Sequence, residues 1–150
     1  MEITLVKFDN EFLNLSSLWL QDDEIRKLID AAPINSKQQM VWFQGLIKRK
    51  DYKIWGVIAG NQKIGVCGLK NINKTEAEYF GYIGEKSFWG KGIGQKILKE
   101  ILIKANSIRL SKVYLVVLTN NLRAIHSYKK FGFKEDGYSN DKVKMVISVC

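Results

Sequence analysis

The stretch SFWGKGIGQKIL, residues 87–98, sets three glycines at alternate positions, Gly90, Gly92 and Gly94, directly ahead of a helix-like apolar pattern. From Gln95 to Ser107 the residues Ile97, Leu98, Ile101, Leu102 and Ala105 recur at helical spacing. Before the glycines, AEYFGYIG (77–84) reads as a strand. A strand, a bare loop and a helix start together make an anion trap. The first helical N–H groups have no intrahelical partner and sit at the positive end of the helix dipole. Glycines let a ligand reach that backbone without meeting a Cβ, and they permit dihedrals that aim successive N–H groups at one oxygen cluster. The stretch points to a bound phosphate or pyrophosphate; the alternative is a tight strand-to-helix turn with no ligand. It is not a Walker loop, because Lys91 lies among the glycines and is not followed by Ser or Thr. It is not a dinucleotide fingerprint, because the spacing is G-x-G-x-G and the preceding strand belongs to a meander.

Working outward, residues 3–7 read as a first strand, and Asp9 can cap a helix carrying Phe12, Leu13 and Leu15. DDEIRKLID (22–30) is a second helical stretch with its acids at the start, where the dipole favours them. In SKQQMVWFQGLIKRK (36–50), Ser36 and Gln39 have capping-box spacing, and Met40, Phe43 and Ile47 share a face. KIWGVIAG (53–60) and KIGVCGLKNI (63–72) are strands joined by a hairpin turn at Gly60-Asn61-Gln62. KVYLVVL (112–118) is a continuous apolar run, expected to be a buried parallel strand. NLRAIHSYKKFGF (121–133) starts with the cap residue Asn121 and stops at Gly132, and KVKMVISV (142–149) is the last strand. The order predicts a mixed α/β layer arrangement, with 84–112 a right-handed strand–helix–strand crossover.

A chain of 150 residues makes one domain, 1–150. Its composition, 46% apolar and 26% charged, is that of a globular protein and excludes a disordered one. The net charge of +9 fits an anionic ligand such as a nucleotide cofactor. Nucleic acid is not expected, because the basic residues are spread out and form no block interleaved with aromatics. No stretch approaches the roughly 18–20 apolar residues of a membrane span, and the first residues lack a secretory pattern. Cys67 and Cys150 are read as free thiols in a reducing cytoplasm, and a lone His126 makes a zinc site unexpected.

The two glycine-bearing blocks, taken in order, resemble the GNAT superfamily of acetyl-CoA-dependent N-acetyltransferases. That family's cofactor loop has the pattern Gln/Arg-x-x-Gly-x-Gly/Ala after its fourth strand. WGKGIG (89–94) fits it at Gly92 and Gly94 and departs from it at Trp89. The second block matches at Asn121, Arg123, Ala124, Ile125, Tyr128, Gly132 and Phe133. The likeness covers residues 53–137 and is loose over 1–50. It implies the acyl-CoA N-acyltransferase fold, a mixed and mostly antiparallel sheet of about six to seven strands flanked by helices. It also implies acetyl-CoA as cofactor, held by Ile83 and Asn121 along the pantetheine and by Lys91, Gly92, Ile93, Gly94 and Gln95 at the pyrophosphate, with Lys96 adding charge.

Acetyl transfer to an amine needs a neutral amine, a donor for the thioester oxyanion and a proton for the departing thiolate. The resemblance points to Tyr128 for the thiolate, against the alternative of a core Tyr. Glu78 is the candidate base, against an exposed strand Glu or a water chain; a backbone N–H near Ile83 is expected to serve the oxyanion. His126, one position off the apolar face, reads as a surface residue. Trp19, Trp42 and Trp55 read as core, with Trp19 or Trp42 as the alternative wall of an acceptor pocket. The N-terminal layout looks like the branch of ribosomal-protein, spermidine and amino-sugar-nucleotide acetyltransferases. A polyamine would want a strongly acidic pocket, and only Asp22, Asp23 and Glu24 cluster, where they can equally serve a helix start. A small amine is expected, an amino-sugar nucleotide ahead of a protein N-terminus or a polyamine. The competing class is a non-catalytic acetyl-CoA sensor or a nucleic-acid module. Strand 142–149 is the candidate for pairing with a second chain as a homodimer, although nothing in the sequence decides it.

Overall fold

The computed structural model describes residues 1–149. Its elements run β1 (Ile3–Lys7), α1 (Asn10–Trp19), α2 (Asp23–Leu28), α3 (Ser36–Gly45), β2 (Lys53–Ala59), β3 (Gln62–Lys70) and β4 (Glu76–Ile83). They continue with α4 (Ile93–Ser107), β5 (Lys112–Leu118), α5 (Leu122–Phe131), β6 (Lys134–Ser139) and β7 (Lys142–Ser148). The strands form one seven-stranded sheet in the order β1-β2-β3-β4-β5-β7-β6. Only β4 and β5 are parallel; their connection is α4. The expected α/β architecture is therefore present.

Strand alternation divides the apolar side chains between two faces. On one face Val113, Leu115 and Val117 of β5 and Val143 and Met145 of β7 pack with Ile97, Leu98 and Ile101 of α4. On the other, Val66 and Tyr82 pack under Phe12 and Leu13 of α1, Ile25 of α2 and Trp42 and Phe43 of α3. The helices start where side chains can cap them. Asp9 accepts the Phe12 N–H, and Asp22 accepts those of Glu24 and Ile25. Among the described residues no helix is long and apolar enough to cross a membrane.

Five points depart from expectation. The capping box of α3 is Asn35 with Gln38, one residue ahead of Ser36 and Gln39. Gln39 is instead buried, its Nε2 donating to Ser16 Oγ at 2.7 Å, while Met40 and Ile47 are exposed. The chain tightens into a 3₁₀ turn at Leu46–Lys48, which takes Ile47 off the Phe43 face. Next, β6 was not foreseen. Its six residues are all exposed, so it carries no alternation to read. Because β6 pairs with β7, the last strand lies inside the sheet, hydrogen-bonded to β5 and β6, and has no free edge for a second chain. Finally, α4 starts at Ile93, two residues before Gln95. Cys67 is free and buried; Cys150 lies outside the described residues.

Candidate active site

The site begins with a failure of strand pairing. β4 and β5 are in register only over Glu76–Glu78 and Lys112–Tyr114. Beyond that, β4 runs on against β3, and β5 runs on against β7, so the two strands splay apart. The Gly84 N–H donates to Ile64 O at 2.7 Å on the β3 side. Alternation then turns the peptide groups of Ile83 and Gly81 the other way, into the splay. There the Ile83 carbonyl accepts from Trp89 Nε1 at 2.8 Å. Trp89, the departure from the family pattern, thus ties the glycine loop to the end of β4.

The loop itself has the conformation that only glycine adopts freely. Gly90 has φ +74° and Gly92 has φ +75°. Gly92 is the N-cap of α4, and no side chain caps that helix. The first N–H groups of a 15-residue helix are left without side-chain acceptors, at its positive end. A Cβ on Gly92 or Gly94 would meet nothing within 4 Å, so the backbone there is open. The side chains expected to help do less than the backbone. Gln95 Nε2 donates to Ser127 O at 2.7 Å and to Ser127 Oγ at 2.9 Å, which fastens α4 to α5. Lys96 Nζ donates to Met1 O at 2.6 Å, so its charge is turned to the start of the chain and not to the loop. Lys91 is exposed, its ammonium 5.8 Å from the Phe88 ring centroid. A guanidinium nitrogen of Arg123 comes within 3.0 Å of where a Cβ on Gly90 would lie.

Helix α5 supplies the phenol. Asn121 caps it by accepting the Ala124 N–H at 3.3 Å, and Gly132 closes it with φ +126°. Tyr128 lies edge-on to Tyr79, with centroids 6.5 Å apart, and to Phe133 at 5.7 Å. Burial pushes its phenol up to about 12, so it is protonated at neutral pH. Tyr79, which carries no sequence signal of its own, packs against it. Its hydroxyl would stand 2.6 Å from a Cβ on Gly81, so the glycine two residues along the strand makes room for it. Burial also holds the Tyr79 phenol well above its ordinary value.

Two cavities meet at the splay. The first, about 330 Å³, lies between Ile83, Gly94, Ala124 and Ser127. The second, about 350 Å³, is bounded by Asp30, Lys70, Glu78 and Lys142. Tyr79, Gly81, Asn121 and Tyr128 bound both. Glu78 therefore faces the second cavity; its carboxylate accepts from Asn71 Nδ2 at 3.2 Å and lies 3.7 Å from Lys70 Nζ. The acidic trio is otherwise engaged. Asp22 and Glu24 share Lys86 at 2.7 and 2.8 Å, and Asp23 pairs with Arg26. Lys86 holds the Asp22 carboxyl below its ordinary value. Trp19 donates through Nε1 to Glu85 at 3.0 Å, and His126 is exposed. Chemically, the arrangement can seat an anion at α4, thread an extended chain along the β4 edge, and present a protonated phenol between two chambers.

Comparison with known proteins follows the same outline. Residues 15–133 match the acetyltransferase (GNAT) family. An uncharacterized protein of Methanocaldococcus jannaschii is 28% identical over 132 residues, which is 85% of this chain and 27% of that protein. A spermine/spermidine N(1)-acetyltransferase of Bacillus subtilis is 33% identical over 63 residues, 39% of this chain and 41% of that enzyme. The chain thus spans about a quarter and two fifths of the lengths of these relatives. The structure of a spermidine N-acetyltransferase from Vibrio cholerae, in complex with CoA and spermine, superposes with a TM-score of 0.89. It is 23% identical, with 97% of this chain and 95% of that one covered, a likeness of fold.

Proposed function

We propose a function from one premise: the chain belongs to the acetyltransferase (GNAT) family. On that premise it is an acetyl-CoA-dependent N-acetyltransferase that moves the acetyl group directly to a primary amine. The observation that carries the reading is the β4–β5 splay, with Tyr128 bounding the cavities on both of its sides. Acetyl-CoA supplies the activated acetyl thioester and a pyrophosphate. The open backbone of Lys91, Gly92, Ile93, Gly94 and Gln95 at the start of α4 is suited to the pyrophosphate, with Arg123 as the adjacent cation. The β4 edge at Ile83 and the cap residue Asn121 line the path for the pantetheine. The Ile83 N–H serves the carbonyl oxygen as it gains charge. The Tyr128 hydroxyl gives its proton to the departing sulfur, and Glu78 takes the proton lost by the amine. Lys96 and the Gln95 side chain have no part in this scheme.

The acceptor is a small primary amine, with an amino-sugar nucleotide ahead of a polyamine or a protein N-terminus. The excess of positive charge supports that order, because a sugar diphosphate needs cations. The low cysteine count supports a cytoplasmic setting. The test is calorimetric titration with acetyl-CoA at two salt concentrations, followed by thiol release with a panel of amines. Saturable one-site binding and amine-dependent release are expected. Absence of binding would leave the glycine loop a turn and overturn the assignment.

A further inference from the structure

The second cavity carries four charged side chains, two of each sign, brought from four parts of the chain: Asp30, Lys70, Glu78 and Lys142. Lys142 Nζ lies 3.0 Å from Asp30 Oδ2, and Lys70 Nζ lies 3.7 Å from Glu78 Oε2. The Glu78 charge reaches Lys142 as well. The four sum to zero. A ligand of one sign alone would leave two of them opposed to it, so a balanced set suits a ligand that carries both signs. Depth gives the orientation. The Glu78 side chain is 18% exposed, whereas those of Lys142 and Asp30 are 44% and 54% exposed. The carboxylate is thus the more sheltered end, and the lysine of β7 stands at the mouth. Exposed ion pairs hold weakly, so exchanging their partners for those of a ligand costs little.

We infer that the acceptor is a small primary amine that bears its own anionic group, a carboxylate or a phosphate. Its amine lies toward Glu78, and its anion is received by Lys142. This rests on the acetyltransferase reading and narrows it to an acceptor chemistry.

The test uses the full chain with saturating acetyl-CoA and matched acceptors. These are glucosamine against glucosamine 6-phosphate, butylamine against 4-aminobutanoate, and spermidine. The anion-bearing member of one pair is expected to have a kcat/KM at least about tenfold higher, the scale of one charge-assisted hydrogen bond. Which pair shows the advantage tells phosphate from carboxylate. In Lys142→Gln the advantage should shrink about fivefold or more, through KM and not kcat, and Lys142→Arg should restore it. Spermidine or the amines without an anion outperforming both anionic acceptors would overturn the inference and leave the acetyltransferase reading standing. So would acetyl-CoA binding with no anionic acceptor turned over. Failure to bind acetyl-CoA at all would overturn both.

Discussion

Replacing Tyr128 by Phe separates a chemical role from a packing one. The ring packs edge-on against Tyr79 and Phe133, at 6.5 and 5.7 Å, and phenylalanine keeps both contacts. Only the hydroxyl goes, from a side chain that lines both cavities. Stability should therefore change by less than about 0.5 kcal/mol, the usual range for a substitution that leaves packing intact. The affinity for acetyl-CoA should stay within about threefold, because the substitution leaves the proposed seat in the loop backbone untouched. Loss of a proton donor to the sulfur should lower kcat by about a hundredfold, the lower end of what general acids contribute. That corresponds to about 2.7 kcal/mol of the barrier. The measurements are steady-state thiol release, calorimetry with acetyl-CoA and urea unfolding of both proteins. A companion pH profile sharpens the result. With the phenol pushed up to about 12, the protonated donor persists through mildly alkaline solution. The wild-type kcat should show no alkaline decline below about pH 10. A kcat within twofold of wild type, or an alkaline decline near pH 8 that vanishes in the Phe variant, would remove this reasoning.

At Gly92, where φ is +75° and a Cβ meets nothing within 4 Å, a glutamate brings no clash but sets a carboxylate at the anion site. Gly92→Glu should raise the Kd for acetyl-CoA by about a hundredfold or more through like-charge repulsion. Gly92→Asn, which tolerates that φ, should cost far less. Equal effects in calorimetry would mean that the backbone conformation, not charge, was being read. Stability should fall in alkali. Burial raises the phenols of Tyr52, Tyr79, Tyr82 and Tyr128 in the folded chain, so above about pH 10 the unfolded chain loses their protons first. Their contribution is complete below that pH and is lost as pH rises, by roughly 1.4 kcal/mol each at pH 11. Urea midpoints that hold constant from pH 9 to pH 11 would contradict it.

Much of this protein is written locally. The helical spacing of Ile97, Leu98 and Ile101, the caps Asp9 and Asn121, and the hairpin at Gly60-Asn61 each depend on a few adjacent residues. So does the bare backbone of Gly92 and Gly94, which residue type and order alone read as an anion seat or a tight turn. What was not legible depends on neighbours far along the chain. β6 exists because β7 offers it an edge, and its exposed residues carry no pattern of their own. That pairing in turn moves β7 inside the sheet. Gln95 and Lys96 look alike as loop-side polar residues. Only packing directs one to Ser127 and the other to Met1. Nothing in the sequence singles out Tyr79; the packing shows Gly81 leaving space for its hydroxyl. The splay of β4 from β5 is likewise invisible in either strand. It is a matter of which peptide groups find partners, and hydrogen-bond register between segments more than thirty residues apart is set by the whole sheet and its covering helices. The sequence determined that there would be a bare glycine loop ahead of a helix; the tertiary structure decided what stands on either side of it.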